Sequence, residues 1–378
     1  MHKRITMARY YFYLLTLVFC FLQSCIGSKS SDANISGGDT ITNDSELLTI
    51  INFGNYTIVD ITNPWQKDAL LQRYILVNRD SSINDIPKGT IVKTPLKSSL
   101  VYSSVHAGAI KEMGAISAVT AVCDAEYYKI PEIAEGLKSG KIINAGSSMS
   151  PSIERILEHQ PEAILSSPFQ NAGHGAIEQL GIPIIECADY MESTPLGRAE
   201  WIKLLGVLYG CRDKATEIYN QVSNNYNSLA SKTSTIETRP IVISEMVTDG
   251  VWYLPGGRSY MARIFNDAGA KYPWDNDQST GSLQLDFATV YDRAHNADFW
   301  FIKTFNRDLT LDELKSIYPL HSRMNAFSNG GVYSCNTATS SLFEDFPFHP
   351  DKLLQDFINI IHPELSQEAT TNYYKPVK

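Results

Sequence analysis

No cluster of lysine and arginine follows Arg9 in this 378-residue chain. That absence excludes a nucleic-acid partner, because such binding needs grouped cations to neutralise phosphates. Cysteine is sparse, six residues in all, and none forms a C-x-x-C pair, so neither a zinc module nor a thioredoxin-type motif is present. Cys123, Cys187, Cys211 and Cys335 are dispersed through the body. Free buried thiols are the expectation there, although an oxidising compartment permits disulfides and spacing does not decide the pairing. No G-x-S-x-G elbow, H-E-x-x-H helix or phosphate-cradling glycine loop occurs, and the string GHGA at Gly173 to Ala176 has no nucleophile placed beside it. The chain reads as a non-enzyme that calls for no cofactor.

What is present begins with an export signature. Lys3, Arg4 and Arg9 precede an apolar run from Tyr10 to Leu22, too short to cross a bilayer comfortably, which takes about 20 residues. Residues 1–24 therefore read as a secretion signal. Leu22-Gln23-Ser24-Cys25 resembles a lipoprotein signal-peptidase box, with Cys25 the residue to be lipidated. Residues 25–46 are rich in Ser, Gly, Asn and Asp and too poor in apolar surface to pack, so a flexible tether is expected, with a mean reach of about 25 Å. Loss of the signal removes three positive charges and takes the net charge from -9 to -12, which suits solubility and says nothing about fold. The expected place is the periplasmic face of a cell-envelope membrane, held by lipid, as a monomer; inner or outer membrane stays open.

The remaining body of roughly 330 residues exceeds the size at which one core stops growing. From Ile50 to Pro95, β-branched segments alternate with polar residues around turns at Gly54-Asn55 and Lys88-Gly89, a β-rich opening. Next, strand-like runs (SLVYSS, AVTAV, KIINAG, EAILSS, IPIIEC) alternate with helical segments, as in a parallel sheet flanked by helices. Ser150 is the expected cap and Pro151 the first residue of the helix SIERILEHQ, while Gly181 closes the segment His174 to Leu180. A strandless stretch follows, with Trp201, Leu204, Leu205 and Leu208, then Ile218, Val222 and Tyr226, at helical spacing and a break at Gly210-Cys211. A second β/α series completes the chain. The predicted class is α/β, two lobes with mostly parallel sheets joined by a long helical connector: residues 47–194, connector 195–234, residues 235–366, and a tail at 367–378.

In this order, PSIERILEHQPEAIL, PLGRAEWIKLLGVLYG, LDFATVYDRAHNADFWFI and HPDKLLQDFINIIHPEL resemble the substrate-binding proteins of iron-siderophore, haem and vitamin B12 ABC importers. The resemblance implies capture of a small ligand between lobes and delivery to an inner-membrane permease. It further implies a docking Glu on each lobe. Glu154 matches the first; Ala288 stands at the second, where Asp286 or Asp292 lies close enough to substitute. Taken alone, Glu154 is also an ordinary carboxylate favoured by a helix N-terminus.

Ligand contacts in such folds come from loops at strand C-termini. In the first lobe these loops carry Ser103, Ser104, His106, Tyr127, Tyr128, Ser147 to Met149, Phe169, Gln170 and Tyr190. In the second they carry Trp252, Tyr253, Arg258, Trp274, Lys303, Phe305 and Asn306. Aromatic faces with polar tips suit a large, flat or chelated ligand, Arg258 and Lys303 suit an anionic one, and Tyr127, Tyr128 or His106 offers an atom to iron. About half of these residues are expected to be ordinary packing, since Tyr and Trp at strand ends are often core residues with a satisfied hydroxyl or N–H. An iron chelate is the leading cargo, with a corrinoid or haem as alternatives. The rivals are a Zn or Mn carrier, for which His106, His174, His295 and His321 lack paired spacing, an exported hydrolase, and a surface lipoprotein of another kind.

Overall fold

The computed structural model describes residues 37–81, 86–366 and 370–378. The signal segment, Cys25 and most of the expected tether lie outside them. Among the described residues no helix is long and apolar enough to cross a membrane.

The first lobe opens with a five-stranded sheet, β1 (Asp39–Thr40), β2 (Leu48–Asn52), β3 (Tyr56–Thr62), β4 (Leu70–Asn78) and β5 (Thr90–Thr94), paired in that order. Its parallel sheet is built from β6 (Ser99–Val101), β7 (Val119–Val122), β8 (Ile143–Asn144), β11 (Ala163–Ser166) and β12 (Ile184–Glu186), in the order β12-β11-β6-β7-β8. Both faces are covered, so β6 is buried without alternation: Leu100 joins the core on one side and Val101 the core on the other. The flanking helices are α1 (Ser104–Glu112), α2 (Pro131–Ser139) and α3 (Ile153–His159). The cap of α3 is Ser152, whose Oγ accepts the Arg155 N–H. The expected cap Ser150 and its neighbour Pro151 form instead strand β10, paired with β9 (Gly146–Ser147) in a small hairpin. The Pro-at-first-turn signal was misleading because the fixed φ of proline serves a strand end as well as a helix start.

The connector is α4 (Pro195–Ala199), α5 (Ile202–Leu208) and α6 (Arg212–Thr233), with the left-handed Gly210 (φ +73°) at the break. At 22 residues α6 is about 33 Å long. Its first half sends Ala215, Ile218, Tyr219 and Val222 into the first lobe's core. Its second half sends Tyr226 and Leu229 into the second lobe's core. One rigid rod thus has an apolar footing in each lobe.

The second lobe holds β13 (Val242–Ser244), β17 (Phe299–Thr304) and β18 (Val332–Asn336) in parallel, with β19 (Lys375–Pro376) antiparallel at the edge. A smaller antiparallel sheet joins β14 (Val247–Thr248), β15 (Val251–Pro255) and β16 (Ser282–Leu285). Helices α7 (Tyr260–Asp267), α8 (Phe287–Ala294), α9 (Leu311–Ile317), α10 (Asn325–Asn329), α11 (Leu342–Asp345) and α12 (Pro350–Ile361) surround them.

Both chain ends depart from the sequence reading. The stretch expected as free tether is tied down from Asp39. The Asn43, Asp44 and Ser45 amides donate to the buried Glu200 carboxylate at 2.7–3.0 Å, and those of Glu46 and Leu47 donate to Glu192 at 3.0 Å. Lys203 balances Glu200 at 2.7 Å. The expected tail is likewise integral: Tyr373, Tyr374 and Val377 are core residues, and the buried Asp356 accepts the amides of Asn372, Tyr373 and Tyr374. Neither segment has helical or alternating apolar patterning; buried carboxylates elsewhere in the chain order them.

Candidate functional site

The carboxyl ends of the parallel strands of both lobes converge on a cavity of about 810 Å³. From the first lobe, Ser103 caps α1 through the Val105 N–H, and Asp124, in the left-handed region at φ 48°, turns the chain after β7 so that Tyr127 and Tyr128 follow. The β9–β10 hairpin carries Ser148 and Met149 at its tip, and Phe169 stands after β11. From the second lobe come Phe305, ahead of the left-handed Asn306 (φ 52°), and Thr337, Ser340, Phe343 and Glu344 after β18. Asn and Asp tolerate such φ values because their short side chains bond locally.

The walls are apolar and uncovered. Ten large hydrophobic side chains are exposed among the described residues, and five of them, Tyr127, Met149, Phe169, Phe305 and Phe343, line this one cavity. Tyr127 and Phe305 meet edge to face across it, with centroids 5.4 Å apart.

Several contacts hold the lobes at this spacing. Lys129 donates its ammonium to the Thr337 and Ser340 carbonyls and its backbone N–H to Glu344 at 2.8 Å. His349 Nε2 lies 2.7 Å from Glu112, and Phe348 is buried in the first lobe's core. A Cβ on Gly108 of α1 would stand 2.3 Å from the Glu344 carbonyl oxygen, so glycine is what lets α1 and α11 touch.

A smaller pocket of about 220 Å³ adjoins the cavity through Ser103, Val105, Ser167 and Phe169, and adds His106, Asp189, Tyr190 and Arg198. Asp189 is buried between His106 Nε2 at 2.9 Å and Arg198 Nε at 3.1 Å. Burial alone would raise the Asp189 carboxyl; His106 and Arg198 outweigh it and hold the group below the usual carboxylate range. Arg198 in turn lies over the Tyr260 ring of the second lobe, 4.6 Å from its centroid.

Of the residues singled out from sequence, Tyr127, Tyr128, Phe169 and Phe305 line the large cavity, and His106 and Tyr190 the adjoining pocket. The Tyr128 hydroxyl donates to the Val101 carbonyl at 2.7 Å, and burial drives its ionisation well above the ordinary tyrosine value, so it is no phenolate donor. Trp252 and Trp274 are corrections. Trp252 is wholly buried, stacked 5.4 Å from Trp300 with its indole N–H on the Ser244 carbonyl, and Trp274 packs under Arg293. In β15 the inward positions are Trp252 and Leu254 and the outward one is Tyr253, an alternation that an all-apolar string conceals. Tyr253 and Arg258 are exposed, outside the lining of either pocket. Lys303 is engaged by Glu245; burial lowers its affinity for a proton, but the carboxylate more than restores it and holds the ammonium above the usual lysine range. Asp124, Lys129, Phe343 and Glu344 were not singled out, because only the meeting of the lobes makes them neighbours.

Glu154 and Asp286 are both exposed at helix starts. Ser152 Oγ donates to Glu154 at 3.1 Å, and Asp286 accepts the Thr289 N–H as the cap of α8. Backbone N–H groups lower both carboxyls. Among the described residues no three His, Cys, Asp or Glu side chains gather into a set able to hold a metal ion.

A family model described as periplasmic binding protein matches residues 109–339. An uncharacterized lipoprotein of Methanocaldococcus jannaschii is 25% identical over 399 aligned positions, taking in 96% of this chain and 94% of that one. Among solved structures, the periplasmic heme binding protein HutB of Vibrio cholerae superposes with a TM-score of 0.56 at 18% identity, covering 71% of this chain and 100% of that one. An ABC-type Fe3+-hydroxamate transport system protein of Saccharomonospora viridis gives 0.54 at 18% identity, covering 71% and 94%. At these identities the structural likeness speaks for the fold.

Proposed function

The chain belongs to the periplasmic binding protein family, non-enzymatic proteins that bind small solutes for ABC permeases, and from that premise we propose that it carries an iron chelate of the ferric-siderophore kind. The observation that carries this reading is the gathering, among the described residues, of half the exposed large hydrophobic side chains around one cavity between the lobes. Such surface is costly to leave in water and rewards a bulky ligand with an apolar shell. An iron ion already satisfied by its chelator needs no protein ligand, which suits walls of aromatic rings. Cys25 provides the lipid anchor and the chain acts as a monomer; Glu154 and Asp286 face the permease.

The test is calorimetric titration of the purified body with ferrioxamine B, an iron(III) catecholate, cyanocobalamin and haemin. Saturable one-to-one binding of an iron complex supports the reading. Binding of cyanocobalamin or haemin alone moves the cargo to a corrinoid or haem, and binding of bare zinc or manganese with none of the four overturns it.

A further inference from the structure

The charged side chains around the cavity point one way. Its lining holds Asp124, Lys129, His174 and Glu344. The Lys129 ammonium keeps its charge but directs it at the Thr337 and Ser340 carbonyls, and desolvation lowers its affinity for a proton. The His174 imidazole is spent on Glu186 at 2.8 Å. Asp124 accepts an amide, that of Ser148 at 3.2 Å, and Glu344 that of Lys129; among the described residues neither carboxylate has a cation within ion-pair distance, and at Glu344 burial outweighs the charges of Lys129 and Lys111 and raises the carboxyl above its usual range. An open groove of about 400 Å³ continues from the cavity through Asp124, Tyr127, Ser148 and Met149 and adds a further carboxylate, Glu126, with no cation in its lining. The nearby guanidinium of Arg198 is already held by Asp189 and two aromatic rings. Arg258 and Lys303, the cations that the sequence offered to an anion, are absent from all three linings.

We propose that this cavity selects its cargo by charge, admitting uncharged or cationic chelates and rejecting polyanionic ones. The inference rests on the reading of the cavity as a chelate site. A buried anion needs a paired charge; here two carboxylates outnumber the one ammonium, which is turned to carbonyls, and the negative faces of the rings favour cations. The consequence is chemical. Three monoanionic hydroxamates cancel the charge of a ferric ion, whereas three dianionic catecholates leave a trianion, so the lining fits the hydroxamate class and opposes the catecholate class.

Two probe pairs separate this inference from the chelate reading. The first pair shares a xanthene skeleton with opposite charge, cationic rhodamine 6G and dianionic eosin Y, followed by fluorescence anisotropy. The second is ferrioxamine B against an iron(III) tris-catecholate, followed by calorimetry. The expected result is tighter binding of rhodamine 6G and of ferrioxamine B. The Asp124→Asn and Glu344→Gln variants, which keep the amide contacts and so the fold, should each narrow the ratio by roughly tenfold at low salt. Equal or tighter binding of the anionic member of either pair, or an unchanged ratio in both variants, overturns the proposal. Should the dyes discriminate while neither chelate binds, charge selection stands and the iron cargo falls. Should the catecholate bind best, the iron cargo stands and charge selection falls.

Discussion

Removing the Phe305 ring tests the cavity directly. Phe305 is 56% exposed, and an aromatic side chain presents roughly 200 Å² when fully uncovered. A ligand that covers the ring therefore removes about 110 Å² from water, worth about 3 kcal/mol at about 25 cal/mol per Å². Phe305→Ala should raise the dissociation constant for a cavity ligand by about 100-fold if coverage is complete, and by about tenfold if half the ring is covered. The folded protein should tolerate the change, because little of the ring is buried: the edge contact with Tyr127 is worth about 1 kcal/mol. The assay is calorimetry with whichever chelate binds the parent protein, with a melting curve beside it. Tyr253→Ala is the internal control, since Tyr253 is 45% exposed on the outer side of β15. An effect of Phe305→Ala within twofold of the parent, or an equal loss from Tyr253→Ala, would refute the placement of the ligand.

Three further outcomes follow from the geometry. Glu200→Ala strands the Lys203 ammonium, whose side chain is 5% exposed, and frees the amides of Asn43, Asp44 and Ser45; loss of about 3–5 kcal/mol is expected by denaturant unfolding, with a smaller loss for Glu200→Gln. Trp252→Ala opens a core cavity at no cost to the binding site, so stability should fall by about 3–5 kcal/mol while the affinity of the folded protein is unchanged by calorimetry. The Glu186 carboxylate outweighs desolvation and raises the His174 imidazole above its ordinary value. Its contribution to stability is therefore full below about pH 6.5 and is lost as pH rises through the higher folded value. Melting curves of the parent and of His174→Gln should converge above that point, and an NMR titration of His174 should show the raised midpoint.

The alternation of strands and helices was legible because covered parallel strands leave short, mostly apolar runs without polar alternation, as in SLV of β6 and AILS of β11. The connector was legible for the opposite reason, since Trp201, Leu204, Leu205 and Leu208 repeat at helical spacing. The site was legible only where a loop follows a parallel strand, and so Tyr127, Phe169 and Phe305 were found. It failed at VWYLP, where every residue is apolar and the inward side of an antiparallel strand has no mark in the sequence. It failed again at the second lobe's residues 337–344, which carry no periodicity and gain their role from α1 and Lys129 in the other lobe. Pairings such as Ser45 with Glu192, or Tyr373 with Asp356, join segments far apart in sequence, and no local pattern announces them.

The contacts that escaped the sequence also bear on how such a cavity can bind. The two-footed α6 helix, Phe348 sunk in the opposite core, and Lys129 bonded to two carbonyls across the gap hold the lobes together through the chain's own contacts. A cavity whose walls are held in place spares the cost of ordering them on binding. The same contacts work against release, because they must break before the walls can part. Lys129 stands at the point where this resistance is concentrated: its ammonium ties the Tyr127 loop to the Thr337–Ser340 loop, so separating the lobes at the cavity means breaking those bonds together with the Glu344 contact. Any opening of the cavity must supply that free energy.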